Sequence, residues 1–488
     1  MPRVLIMLWL ALYFPQLPRE ALASVSSPSA VTARGRVVVA DPAAQTAGIE
    51  AGLSLAAALG RVPSLALLAR DPLREEAARV DRAIWAGRFT PHVSLDAGGL
   101  RLEVGGCLRL FGGRDALLSA LQASLLEQGW ETHWALAPTP LGAAWLARSA
   151  ESGGSGVICD RPDAMYAALD ALPWRVADWP AAVTDQLDAF GLPTLGALRS
   201  VPSAGLRQRL GEAVVNALWR AYGELPDPQA PFTFPEHFEA RLELPGRVEQ
   251  ASALLFAAQR LLARLSGWLT VRQQRARQLN LTLLYSDHTA SDLPLLLSEA
   301  SADEARWRRV LQARLERLEL AAPVERLQLS VTTCESAQHE ARSLFSGSAS
   351  GEGAAACLER LQARLGEGAV HVLDAVADYR PECASRLTPL QAVRPENSPS
   401  GRSTVGARPF WLLPAPLPLD ERKGAPYWQG PLQRLSRAER LESGWWDEGE
   451  AGAVGDLRRD YCVARSTTGA LLWIFRDADG WFLHGFFA

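Results

Sequence analysis

An unbroken apolar run, Val4 to Phe14, opens the chain and stops at Pro15. It is too short to cross a bilayer as a helix, which takes about 20 residues. Its apolar residues are consecutive rather than alternate, so neither face of a strand would be left for water. Such a segment reads as a central strand covered on both sides. The expected element is a buried strand over Val4–Leu12. The same run also admits an export reading, because Arg3 precedes it and Ala21-Leu22-Ala23 stands where a signal peptide would be cut. Pro15, Gln16, Pro18, Arg19 and Glu20 fall between the run and that site and argue against export. The chain is expected to be cytoplasmic, associated with the nucleoid and without a membrane span.

A covered strand needs layers of other elements around it, and the chain is long enough for several domains at 488 residues. Its 50 basic and 54 acidic residues leave a net charge of −4, so any nucleic-acid-binding charge must be local. Lys423 is the only lysine, a bias that also follows from GC-rich coding. Cys107, Cys159, Cys334, Cys357, Cys383 and Cys462 form no CxxC pair, and there is no HExxH. Metal and disulfide frameworks are therefore not expected, nor is a cofactor.

Strands are expected at Arg36–Ala40, Val93–Leu95, Leu100–Val104 and Thr132–Leu136, and helices at Leu53–Leu59 and Ala116–Gln128. Residues 181–222 read as helical, with turn signals at Gly191-Leu192-Pro193, Pro202 and Gly205. Residues 236–335 read strand, helix, strand, helix, strand, with helices at 250–266 and 302–317 and strands at Gln278–Tyr285 and Arg326–Thr332. Residues 346–355 have linker composition. Six tryptophans crowd the last 80 residues, where strand-like runs at 460–465, 471–476 and 481–487 predict a β-meander. The fold class is α+β and multidomain.

Several short stretches carry a likeness. Leu102-Glu103-Val104-Gly105-Gly106 precedes Leu108-Arg109-Leu110-Phe111-Gly112; Ala47-Gly48-Ile49 precedes Gly52-Leu53-Ser54-Leu55; and residues 135–148 read ALAPTPLGAAWLAR. In this order they resemble the palm segment after the SxDE motif, the GVxxGM fingers segment and the GIGPNKxLAKxAS segment of Y-family (translesion) DNA polymerases. The resemblance implies degenerate palm and fingers over 1–165, a helical thumb over 166–232 and a little-finger-like domain over 233–335. Residues 336–404 would hold a clamp-peptide candidate, a linker and a short helical segment, and 405–488 a Trp-rich region for docking partners.

Nucleotidyl transfer in that family needs carboxylates that hold two Mg²⁺ ions. The DMDxFF-like run is matched here by Trp9-Leu10-Ala11-Leu12-Tyr13-Phe14, which puts Trp9 and Ala11 at the acids. Aligned on LEVGG, the two SxDE acids become Gly98 and Gly99. Pro42 and Gln45 stand for the Tyr and Arg that hold the triphosphate, and Pro140 and Ala144 for two lysines. Glu20, Asp41, Asp96 and Glu103 are the nearby acids, and none lies in the middle of the first strand. The chain is also similar to the inactive ImuB-type members of bacterial mutasomes, which share LWLALxFPQLPxE and C-terminal stretches like Arg408–Pro414, Glu442–Asp447, Arg459–Tyr461 and Trp481–Gly485. That resemblance implies a non-catalytic scaffold with three partners: the β sliding clamp, an error-prone C-family DNA polymerase and a RecA-like accessory protein. An active translesion polymerase using displaced carboxylates is the alternative.

Weak, sequence-independent binding of damaged DNA is expected along Gln250–Ser286, which holds Arg260, Arg264, Arg272, Arg275 and Arg277 and no acid. A solvated charged face is the competing reading. Gly191 and Gly205 mark loops that read either as helix-hairpin-helix phosphate contacts or as ordinary helical hairpins. Clamp peptides of the QLSLF kind are matched in part by Ala341 followed by Arg342, Ser343, Leu344 and Phe345; the same residues also read as a helix end. A second match, Gln186–Phe190, falls within an expected helix.

Overall fold

The computed structural model describes residues 7–22, 27–150, 156–337, 361, 364–365, 369–376, 378–389, 408–446 and 456–487. The chain divides into two compact units, Met1–Arg364 and Leu365–Ala488.

The first unit starts with β1 (Trp9–Tyr13) and the short helix α1 (Leu17–Glu20). A small subdomain follows: β2 (Ser29–Ala33), β3 (Arg36–Ala40), α2 (Pro42–Thr46), α3 (Leu55–Arg61) and β4 (Ala66–Ala69). Its sheet runs β3-β2-β4. Asp41 and Ser54 cap α2 and α3, their side-chain oxygens accepting from the Ala44 and Ala57 amides.

Next come α4 (Pro72–Ala86), the hairpin β5 (Val93–Asp96) and β6 (Gly99–Glu103), α5 (Leu108–Phe111), α6 (Arg114–Gln128), β7 (His133–Ala137), α7 (Pro140–Ser149) and β8 (Val157–Ile158). The main sheet has the order β5-β6-β1-β7-β8. Thus β1 is central, antiparallel to both neighbours, with Leu10 opposite Leu102 on one side and Leu136 on the other. The expected buried strand is observed from Trp9 to Tyr13; Met7 and Leu8 precede it outside the strand, Met7 being exposed, and residues 4–6 lie outside the described residues.

The two faces of β1 enter two different cores. Leu8, Leu10 and Leu12 pack with Ala83 and Trp85 of α4 and Leu117 and Leu121 of α6. Trp9 and Ala11 pack with Ala143 and Ala144 of α7 and with the helices that follow, α8 (Pro162–Ala171), α9 (Ala181–Phe190), α10 (Leu195–Arg199), α11 (Ser203–Leu210) and α12 (Glu212–Ala221). Each buried leucine contributes about 1.5–3 kcal/mol.

The unit ends with β9 (Glu239–Val248), α13 (Leu254–Arg272), β10 (Gln274–Tyr285), β11 (Ala290–Ser301), α14 (Glu304–Leu315) and β12 (Val324–Ser336). Their antiparallel sheet runs β11-β10-β12-β9 and buries one face under α13 and α14. Strand β11 was not expected, because Pro294 and three successive leucines hide its alternation. Helix α13 also lies directly on α4. Gly267 permits this approach, since a Cβ there would be 2.3 Å from the Ile84 carbonyl oxygen.

The second unit is almost wholly β: β13 (His371–Ala375), β14 (Ser385–Pro389), β15 (Trp411–Arg422), β16 (Ala425–Tyr427), β17 (Gln433–Arg434), β18 (Glu439–Ser443), β19 (Leu457–Arg465), β20 (Leu471–Arg476) and β21 (Trp481–Phe486). The expected meander is β19-β20-β21, and β15, β16, β17 and β18 enlarge its sheet. Among the described residues no helix is long and apolar enough to cross a membrane.

Candidate functional site

The positions that the polymerase resemblance marks for catalysis meet where β1 lies beside the β5–β6 hairpin. Trp9 and Ala11 are 7% and 2% exposed, within the core beneath α7, and the Trp9 indole nitrogen has no hydrogen-bond partner. Asp96 and Gly99 face each other across a turn made by Ala97 and Gly98. Gly98 has φ +72°, which disfavours a side chain. Gly99 is closed for another reason: a Cβ there would lie 2.2 Å from the Leu12 carbonyl oxygen.

The hairpin also supplies a residue match that LEVGG obscured. Ser94-Leu95-Asp96-Ala97 contains the S-x-D pattern, and Asp96 is the acid nearest the turn. Asp96 is held by arginines on both carboxylate oxygens: Arg101 Nη2 donates at 2.7 Å and Arg148 Nη2 at 3.4 Å. Arg79 Nη1 donates to the Asp96 backbone oxygen at 2.9 Å. Glu103 accepts from the Gly105 amide at 2.9 Å. Tyr13 is raised above the usual phenol range by burial, with Arg148 pulling it back. A pair of Mg²⁺ ions requires several free carboxylate oxygens on one face. These residues do not fit such a centre. Of the positions matched to triphosphate holders, Pro42 and Gln45 are exposed, Gln45 Nε2 donating to the Ala40 carbonyl at 2.8 Å; of those matched to lysines, Pro140 opens α7 after the Thr139 cap and Ala144 is buried.

The five arginines expected on DNA separate into two groups. Arg272 ends α13 and is exposed, its guanidinium 5.5 Å from the Trp268 ring centroid. Arg275 and Arg277 lie on β10 and flank the buried Ala276, on the face of the sheet not covered by helices; Arg277 is 3.6 Å from Glu335. Arg260 and Arg264 are elsewhere, in the cleft between α13 and α4. Arg264 is 6% exposed and donates to Asp81 Oδ2 at 2.8 Å. Arg264 therefore does not share the open surface of Arg272, Arg275 and Arg277, and its Nη1 is already engaged by a carboxylate of α4.

Gly205 is also corrected. It lies inside α11, where its amide donates to the Pro202 carbonyl at 3.0 Å, and it is not a loop donor. Gly191 does form a turn, with φ +67°, but its amide donates to Asp188 at 3.2 Å. The helix after it, α10, has only five residues. Gln186–Phe190 ends α9 and buries Leu187. Arg342, Ser343, Leu344 and Phe345 lie outside the described residues. In the second unit Trp473 and Trp481 are core residues, while Trp411, Trp445 and Trp446 are 69%, 70% and 56% exposed.

The molecule is a multidomain α+β protein: its first unit holds a five-stranded sheet, a helical series and a four-stranded antiparallel sheet under two helices, and its second unit is β-rich among the described residues. Protein ImuB of Caulobacter vibrioides, in strains NA1000/CB15N and ATCC 19089/CIP 103742/CB 15, is 29% identical over 472 residues, 90% of this chain and all of the relative. No family model matches the chain. Among solved structures, a Y-family DNA polymerase chimera of Dbh and Dpo4 matches 67% of this chain and 99% of its own at 16% identity, with a TM-score of 0.38. DinB from Sulfolobus solfataricus matches 67% and 98% at 17% identity, also with a TM-score of 0.38.

Proposed function

We propose that the chain is a non-catalytic scaffold in DNA damage tolerance and induced mutagenesis. It joins a β sliding clamp, an error-prone C-family DNA polymerase and a RecA-like accessory protein at lesions, in the cytoplasm at the nucleoid. The observation that carries the non-catalytic part is the state of β1 and its hairpin. Both faces of β1 are covered, Trp9 and Ala11 offer no oxygen, and Asp96, the acid nearest the SxDE turn, is neutralised by Arg101 and Arg148. Apolar residues in place of buried acids also remove a desolvation cost, so the strand is stable without metal. The similarity to ImuB along nine-tenths of the chain supports the damage-tolerance role.

In this reading Arg272, Arg275 and Arg277 give weak, sequence-independent DNA contact, Arg342–Phe345 is the clamp peptide, and the region 405–488 docks the other partners. Exposed Trp411, Trp445 and Trp446 are of the residue type that anchors interfaces. Two measurements test it. Purified protein should extend no primer with Mg²⁺ or Mn²⁺, and should retain clamp and error-prone polymerase together in a pull-down. Template-dependent extension that co-purifies with the chain through successive columns would favour the active polymerase with displaced carboxylates.

A further inference from the structure

The cleft that holds Arg260 and Arg264 is not accounted for by the scaffold reading. It lies where α1, α4 and α13 meet the end of β9 and has a volume of about 830 Å³. Six guanidiniums line it against three carboxylates, Glu20, Asp81 and Glu243. In a chain with net charge −4 this is a local excess of positive charge.

The inner arginines are incompletely satisfied. Arg82 of α4 is 2% exposed, pairs with Glu20, and lies 4.3 Å from the Phe14 ring centroid and 5.0 Å from that of Trp130. Its Nη1 is buried and has no hydrogen-bond partner. Arg264 spends Nη1 on Asp81, and its Nε is buried without a partner. The Arg260 Nε is also buried and unpartnered. Glu20 accepts from the Glu131 amide at 2.9 Å as well as from Arg82, and Asp81 Oδ2 accepts from Arg264. Burial pushes the Arg82 guanidinium down to about 10 against the upward pull of Glu20, and the charge on Arg264 adds to the depression. Burial and the neighbouring Arg264 lower Arg260 too. At about 10 the Arg82 guanidinium stays cationic near neutral pH.

Buried donors without acceptors and like charges held together in one cleft suit an anion. We propose that this cleft binds a phosphate group, held by Arg82, Arg260 and Arg264. Three donors on three side chains suit a tetrahedral oxyanion with several acceptor oxygens, and guanidinium is the preferred partner of phosphate. The cleft is larger than a single phosphate requires and falls within the size range of small-molecule sites. The group can come from a free di- or triphosphate or from the backbone of a DNA strand. The site does not depend on the scaffold reading, since it uses neither the β5–β6 hairpin nor the open face of β10.

The test uses the full-length chain and sodium pyrophosphate as probe, with binding read by calorimetry and by the rise in Tm. Saturable binding is expected, weakened at least tenfold by Arg260→Gln and unchanged by Arg161→Ala, a change at an exposed arginine outside the cleft. No saturable binding, or equal binding by a folded Arg260→Gln variant, overturns the site. Should that variant fail to fold, the wild-type protein decides: pyrophosphate should shield Arg260 from phenylglyoxal, read by mass spectrometry, and absence of shielding refutes the proposal. A short DNA duplex separates the two sources. If it displaces pyrophosphate and loses affinity in Arg260→Gln, the occupant is a backbone phosphate. If it binds both forms alike, the occupant is a free phosphate compound.

Discussion

Replacing Gly99 with alanine should damage the fold more than its size suggests. The new Cβ would lie 2.2 Å from the Leu12 carbonyl oxygen, 3.2 Å from its carbon and 3.3 Å from the Tyr13 Cα. All three atoms are backbone of the central strand, so no side chain can swing away to make room. Either β6 separates from β1, with loss of the pairing between Tyr13 and Gly99, or the hairpin turn is rebuilt. Overpacking typically costs 1–3 kcal/mol, and a clash against backbone belongs at the top of that range, about 3 kcal/mol. With a urea dependence of about 3 kcal/mol per M, the unfolding midpoint should fall by about 1 M. Gly60 is the control. It lies in α3 with nothing within 4 Å of its added Cβ, so Gly60→Ala should stabilise by roughly 0.5–1 kcal/mol. The assay is urea unfolding followed by tryptophan fluorescence for both variants and the wild type. Gly99→Asp, which restores an acid at that position, should be at least as destabilised as Gly99→Ala and should extend no primer. If Gly99→Ala unfolds with the wild-type midpoint, β1 and β6 have room that the geometry denies, and steric exclusion of a carboxylate there is wrong.

Arg272, Arg275 and Arg277 changed together to alanine should flatten the salt dependence of duplex binding, by about 0.9 in slope for each phosphate no longer neutralised; an unchanged slope moves the DNA-binding surface elsewhere. Arg264→Ala, by contrast, should lower thermal stability, since it strips a partner from the half-buried Asp81, whose carboxyl burial already raises; a wild-type Tm would show the pair to be dispensable. Leu344→Ala with Phe345→Ala should reduce clamp binding at least tenfold, measured by surface plasmon resonance, and deletion of 405–488 should abolish capture of the polymerase and accessory protein while sparing the clamp. In the second unit, burial pushes His484 down to about 4, while the unfolded chain titrates near 6.5. Below pH 6.5 the unfolded state takes up a proton that the folded state refuses. Stability is therefore full above that pH and should fall by up to about 3 kcal/mol as pH drops to 4. His484→Gln should remove that part of the pH slope in thermal unfolding; a slope identical to wild type would assign the effect to other groups.

Much of the architecture is written locally. A run with no polar position from Leu8 to Leu12 has to be covered on both faces, and β1 is. The loss of acids at Trp9 and Ala11 is legible from residue type alone, as are the alternating runs that became β19, β20 and β21. What the chain does with its charges is not local. Arg260, Arg264, Arg272, Arg275 and Arg277 look alike along the sequence, because an arginine on a helix has the same neighbours in sequence whether it meets water or another helix. Only the packing of α13 on α4, made possible at Gly267, buries Arg264 against Asp81, 183 residues away, and sets Arg260 in a cleft with Arg82. Asp96 is a similar case. In sequence it is a free acid beside a turn; in the fold Arg148, 52 residues on, takes one of its oxygens and Arg101 the other. The sequence by itself determines which segments must be buried, because burial follows from the apolar pattern of each segment. Which charge meets which, and so which arginines remain for DNA, is decided by tertiary structure, because the Coulomb energy of a pair depends on a separation that the chain acquires only on folding.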